Sequence, residues 1–67
     1  MRNNLKIERA TKNITQENLA NSVSVSRQTI NAIETGKYVP STILALKIAR
    51  YFGKTVEEIF ILDQNDG

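Results

Sequence analysis

An all-α fold of five helices is predicted for this chain by three observations. Hydroxyl residues stand directly ahead of apolar segments at Thr15, Ser26, Ser41 and Thr55, where a side-chain oxygen can accept from an early helical N–H. Gly36 and Gly53 fall just after such segments, where a left-handed residue closes a helix. Between these marks the apolar residues recur mostly at helical spacing.

The first helix is expected from about Asn4 to Lys12, with Asn13 closing it. Leu5, Ile7, Ala10 and Ile14 do not make one stripe, and the Leu5/Ile7 alternation leaves an extended start open. Helix two runs from Gln16, after Thr15, to about Val23 and buries Leu19, Ala20 and Val23. Ser24 and Val25 form a turn, Ser26 caps helix three, and Gly36 ends it. Tyr38, Val39 and Pro40 form a loop, since Pro40 disfavours a helical Val39. Helix four, about Thr42 to Phe52, carries Ile43, Leu44, Leu46, Ile48, Ala49 and Phe52, a surface broad enough for the middle of a bundle. Thr55 and Glu58 form a capping box that opens a last helix, Val56 to about Phe60, with Ile59 and Phe60 facing inward. The segment 61–67 is a tail or a short strand, with Asp63 to Gly67 fraying.

All 67 residues make one small domain, near the lower limit for folding alone. With no cysteine and no histidine there is neither a disulfide nor a structural zinc site, so stability must come from packed helices, to which dimer formation can add. No metal and no cofactor is expected. No apolar run is long enough to cross a bilayer, and MRNNLKIERA lacks the apolar core of a secretory signal, so the expected location is the cytoplasm. Charge is segregated. Residues 1–54 hold nine basic groups and three acids, a net of +6, whereas residues 55–67 hold four acids and no basic group, a net of −4. A basic body attracts phosphates and an acidic end is kept away from them.

The segment 16–35, QENLANSVSVSRQTINAIET, reads as two short helices joined by a tight turn. At about 100° per residue, Ile30 and Ile33 share one face of the second helix, while Arg27, Gln28, Asn31, Ala32 and Thr35 share the other. Such a helix suits base edges in a DNA major groove. Arg27 can grip guanine O6 and N7 or clamp a phosphate; Gln28 can match adenine N6 and N7. Asn31, a turn further on, can meet a base or a phosphate, and Ala32 either packs on a thymine methyl or is merely a good helix former. Gln16 opens helix two, at an end that favours anions. Thr15, Gln16, Ser26, Thr29, Thr35, Lys37 and Tyr38 are the phosphate candidates, which set register without reading sequence. Tyr38 could equally cover the loop.

The stretch TQENLANSVSVSRQTINAIETGKYVP, continued by ALKIARYFGKTVEEIF, resembles the Cro/lambda-repressor (XRE-like) DNA-binding domains. Thr-Gln-x-x-Leu-Ala, Ser-Arg-Gln-Thr-Ile, Ile-Glu-x-Gly-Lys and Pro-Ser carry the likeness in combination, over about Leu5 to Phe60. The resemblance implies a five-helix lambda-repressor-like domain whose second and third helices form the DNA-binding unit, acting as a dimer on a pseudo-palindromic operator. Some very short members add terminal strands at the dimer contact. It implies that Gln16 bonds a phosphate and can brace the glutamine of helix three, and that Arg9 pairs with Glu34 to tie helix one to helix three. There are two departures. Ser24 stands where the family has glycine, at a cost of about 1 kcal/mol if the backbone is left-handed. Glu8 replaces an apolar residue before Arg9, so Ile7 is expected to take the buried position.

The expected function is therefore sequence-specific binding to double-stranded DNA as a small transcriptional regulator, a homodimeric repressor. The dimer is assigned to helix five and the segment Ile59, Phe60, Ile61 and Leu62, apolar surface at the end that charge keeps off DNA; the alternative is that these residues complete the chain's own core. The alternative is an antitoxin-type module that binds a protein partner and its own promoter. RNA or single strands fit less well, because two Tyr and two Phe offer little stacking surface. Catalysis and a small-molecule substrate are not expected: Glu57 and Glu58 point to different sides of a helix, and neither a histidine base nor a cysteine nucleophile exists.

Overall fold

A computed structural model describes residues 1–66; Gly67, the last residue of the expected frayed end, lies outside the described residues. In chain order the elements are β1 (Arg2–Asn3), α1 (Leu5–Lys12), α2 (Gln16–Ser22), α3 (Arg27–Glu34), α4 (Thr42–Phe52), α5 (Val56–Ile59), β2 (Phe60–Ile61) and a 3-10 turn at Gln64–Asp66. Helices this short are marginal alone, so their ends must be satisfied and their inner faces buried.

Both conditions are met by local chemistry. The side chains of Thr15, Ser26, Ser41 and Thr55 accept from the backbone N–H of Asn18, Thr29, Leu44 and Glu58 respectively. At Thr55 the Glu58 carboxylate reaches back to the Thr55 N–H, completing the capping box. That N–H, followed by the Thr55 hydroxyl, holds the Glu58 carboxyl below its ordinary range. Asn18 does the same at Thr15, a second box whose amide in place of Glu or Gln made it invisible to the usual pattern.

The first four helices close by one motif. A left-handed residue follows each: Asn13 (φ 58°), Ser24 (φ 62°), Gly36 (φ 77°) and Gly53 (φ 66°). The paired bonds of a Schellman ending surround every one, as in Ser24 N–H to Asn21 O at 3.4 Å and Val25 N–H to Ala20 O at 3.0 Å. After α1 and α2 the next residue, Ile14 or Val25, packs onto the core and fixes the direction of the exit.

The core takes at least one fully buried side chain from every helix: Leu5, Leu19, Ile30, Ile33, Ile48 and Ile59. β1 and β2 pair antiparallel, Arg2 opposite Ile61 and Asn3 opposite Phe60, so the start of the chain is an extended strand and 60–61 is its partner. The Asn4 N–H donates to Ile59 O at 2.8 Å, carrying this join into α1.

Four expectations are corrected. Ile7 does not enter the core: it is 63 % exposed. Since Leu5 is the buried anchor of α1, Ile7 lies about 200° round the helix from it. The inward position goes to Glu8, whose half-buried carboxylate accepts from Lys54 Nζ at 2.8 Å; that bond raises the Lys54 ammonium pKa above its ordinary value. On α4, Leu44, Ile48, Ala49 and Phe52 are buried, but Ile43 and Leu46 stay 69 % and 56 % exposed, because the bundle covers one side of this helix only. Ile59 and Phe60 are buried in the chain's own core, Ile59 completely and Phe60 to 7 % exposure, so of the segment assigned to a dimer Ile61 and Leu62 carry most of what remains exposed. Finally, Asp63 to Asp66 do not fray. Asp63 accepts from Arg2 Nε at 2.7 Å, and both Asp63 and Asp66 pair with the Met1 ammonium. The acids of this end are drawn to the Met1 ammonium and the Arg2 guanidinium.

The non-glycine left-handed residue yields a test. Ser24→Gly should stabilise the protein by up to about 1 kcal/mol, since backbone strain is relieved while the unfolded chain gains some freedom. Urea denaturation reads the difference, and a clear loss of stability would show that the serine is not strained.

Candidate nucleic-acid interface

α2 and α3 form the most extensive contact between elements. The Schellman ending at Ser24 reverses α2, and Ser26 restarts the chain two residues later as α3. Ile30 and Ile33 anchor α3 in the core. By geometry this leaves the opposite side outward: Arg27, Gln28, Asn31 and Thr35 are exposed and Ala32 is half-buried. No acid lies in the first turn of α3. Arg27 and Gln28 make no side-chain hydrogen bond or ion pair among the described residues, so their full donor and acceptor sets face solvent.

The phosphate candidates divide by where their protons go, because a phosphate oxygen needs a donor. The Thr15 hydroxyl accepts from the Asn18 N–H at 3.0 Å and keeps its own proton to give. The Ser26 and Thr29 hydroxyls bond each other at 3.0 Å, which uses one proton and leaves one. Thr35 differs. Its Oγ1 donates to Asn31 O at 2.9 Å, so its single proton is turned back onto the helix and is not offered to a phosphate. Lys37 and Tyr38 are exposed on the loop after α3.

Behind this face lies a continuous polar network. Arg9 grips Glu34 with two donors, Nε to Oε2 and Nη2 to Oε1 at 3.0 Å, and its Nη1 donates to Ile14 O at 3.1 Å. The side chains are only 15 % and 5 % exposed. The carboxylate's hydrogen bonds hold the Arg9 guanidinium in its charged form, raising its pKa. Gln16 extends the network. Its Nε2 donates to Asn31 Oδ1 at 3.1 Å and to Glu34 Oε1 at 3.2 Å. The glutamine is therefore bonded to the middle and end of α3, and not to Gln28, which lies in the first turn beyond this contact. Both amide hydrogens being engaged, a phosphate at this side chain would have to displace one of them.

Asn3 went unrecognised as a positioning residue. Its Nδ2 donates to Ile33 O at 2.9 Å and its Oδ1 accepts from the Leu5 N–H at 3.1 Å. One side chain thus satisfies the start of α1 and the end of α3 together. An asparagine ahead of a first helix is a capping signal, but its second partner, thirty residues away, leaves no trace in local sequence. Among the described residues, no group of Asp, Glu, His or Cys is placed to hold a metal ion. None of the helices is long and apolar enough to cross a membrane.

Residues 5–59, which hold all five helices, match the helix-turn-helix family. The chain belongs to that family. It is similar to an uncharacterized HTH-type transcriptional regulator of Methanocaldococcus jannaschii, 56 % identical over 98 % of this chain and 100 % of that one. Another, from Archaeoglobus fulgidus, is 52 % identical over 98 % and 93 % respectively. The HTH-type regulator YgzD of Bacillus subtilis is 46 % identical over 98 % and 100 %. In this helix-turn-helix unit the part-buried ion pair sits directly behind the exposed face of α3.

Arg9→Met should destabilise the protein by about 3 kcal/mol, because it strands the buried Glu34 carboxylate. The double variant Arg9→Met with Glu34→Leu should recover part of that loss. A thermal melt in which the single and double variants are equally impaired would count against a stranded charge as the cause.

Proposed function

We propose that this chain is a small transcriptional regulator that binds double-stranded DNA by sequence, seating α3 in the major groove. The observation that carries this reading is the open polar face of α3, Arg27, Gln28 and Asn31, on a helix whose own Glu34 is gripped from behind by Arg9 and Gln16. A rigid helix with exposed amides and a guanidinium can discriminate base edges, which a mobile one does poorly. In this reading Arg27, Gln28 and Asn31 meet bases, with Ala32 letting the backbone approach. Thr15, Ser26, Thr29, Lys37 and Tyr38 hold the phosphates on either side.

The regulator acts as a homodimer on a pseudo-palindromic operator in the cytoplasm, repressing by occupying a promoter. Two half-sites one helical turn apart need two copies of α3 about 34 Å from each other, a spacing that suits two copies measuring 32 × 22 × 20 Å in side-by-side contact. We assign the contact to the exposed apolar residues of the α3–α4 loop and α4, Val39, Ile43 and Leu46. Val39 and Leu46 line a groove of about 230 Å³ together with Met1, Pro40, Thr42, Ala45, Val56 and Phe60. Val39 and Pro40 belong to the loop that leaves α3, so a two-fold contact here would couple the two α3 helices directly.

Selection of bound duplexes from a random pool tests the function: one enriched, partly palindromic sequence is expected, and enrichment of none would overturn it. Gln28→Ala should cost about 1–3 kcal/mol and relax preference at one position. Lys37→Ala should weaken every sequence alike and flatten the salt dependence. Sedimentation should show a dimer that Leu46→Asp dissociates. If Leu62→Asp dissociates it instead, the contact lies at the strand end, and a monomer at high concentration would end the dimer proposal.

A further inference from the structure

The bonds of Gln16 to Asn31 and Glu34 have a polarity, and it runs one way only. Arg9 can only donate, and its fork holds both oxygens of the Glu34 carboxylate, which can only accept. The single Gln16 atom that reaches Glu34 Oε1 at 3.2 Å must therefore be the donor end of the amide, Nε2. That same atom reaches Asn31 at 3.1 Å, and a donor there demands the acceptor end of the second amide, Oδ1. With Oδ1 turned inward, the Nδ2 of exposed Asn31 points away from the network and meets no acceptor among the described residues. An unconstrained asparagine can present either end of its amide to a base. Here a carboxylate two bonds away decides.

We propose that the Arg9–Glu34–Gln16 chain locks the Asn31 amide with its NH2 outward, making Asn31 a donor-only reader that accepts bases presenting an acceptor, guanine foremost with two, and rejects cytosine. This rests on the reading of α3 as the helix that enters the major groove. Guanine offers two adjacent acceptors there, N7 and O6, whereas cytosine offers only an N4 donor, which would face the Asn31 NH2 with no acceptor between them. The two-way adenine match available to a free asparagine is lost as a preference, because the acceptor end is already engaged. Glu34, which closes α3 on its inner side and is packed against Arg9, thus acts on base choice as a positioning residue through two amides in series.

The test has one arm without DNA and one with it. In the free protein, side-chain amide NMR should show the Gln16 NH2 exchanging slowly with water and the Asn31 NH2 exchanging fast; the reverse order would overturn the lock. In the second arm, duplexes are selected from a random pool by the wild type, Gln16→Leu and Asn31→Asp. The wild type should disfavour cytosine at one half-site position by about tenfold. Gln16→Leu releases the Asn31 amide and should erase that discrimination while leaving the preference set by Gln28 in place. Asn31→Asp still accepts from Gln16 but turns an acceptor outward, so preference at the same position should move to cytosine. If Gln16→Leu lowers affinity for every sequence equally, Gln16 serves a phosphate or the fold alone, and the proposal is wrong. A wild type that enriches no sequence, with the expected exchange order intact, overturns the DNA-binding reading and the base choice together, and leaves only the amide orientation standing.

Discussion

A carboxylate at the inner margin of a helix can be kept there only if something replaces the water it gives up, and Arg9 does so for Glu34. The rest of the molecule is arranged around this exchange. Because the guanidinium satisfies both carboxylate oxygens and also Ile14 O, it joins α1, the α1–α2 loop and α3 at one point. The pair is less a source of net stability than a fixed reference, since burying two charges costs nearly what their attraction returns. Its value lies in direction: a forked, bidentate contact permits one orientation of α3, where an apolar contact would permit several. Gln16 then inherits that direction and transmits it to the exposed face.

The helices that carry these groups are too short to persist by propensity. Four side-chain N-caps and four left-handed closures take up backbone groups that water would otherwise hold. These devices use residues within a few positions of each other, which explains why the helix boundaries were legible. Thr42–Phe52 matches the sequence expectation, and the other helices differ by a residue or so at an end. Ser24 illustrates the limit of the rule. Its left-handed turn follows from what surrounds it, and the turn holds although serine is a poor choice for that conformation.

Long-range pairings were the illegible part. Glu8 is placed inward by the anchor at Leu5 and answered by Lys54, forty-six positions on. Asn3 meets Ile33, and Arg2 meets Asp63. The segregation of charge between the body and the acidic end was visible, and it suggested repulsion from DNA. It did not suggest that Asp63 and Asp66 would fold back onto the first two residues. Likewise the apolar run at 59–62 read either as dimer surface or as core, and half of it became core. In the candidate interface, the outward set on α3 was readable from helical phase alone. Thr35 differs from the other candidates in a way no wheel displays, the destination of its one hydroxyl proton, which goes to Asn31 O.

What the sequence by itself determined, then, is everything set by neighbours along the chain: where helices begin and end, which stripe of each is apolar, and which polar residues share the far side of α3. These follow from local hydrogen bonding and the 3.6-residue repeat, both independent of the rest of the fold. Tertiary structure alone decided which apolar stripes find a partner, leaving Ile43 and Leu46 bare while Ile59 and Phe60 are covered. It also decided the sense in which Gln16 and Asn31 present their amides. The physical reason is common to both: burial and amide polarity depend on atoms brought together from distant positions, and their identities are fixed only when those positions meet.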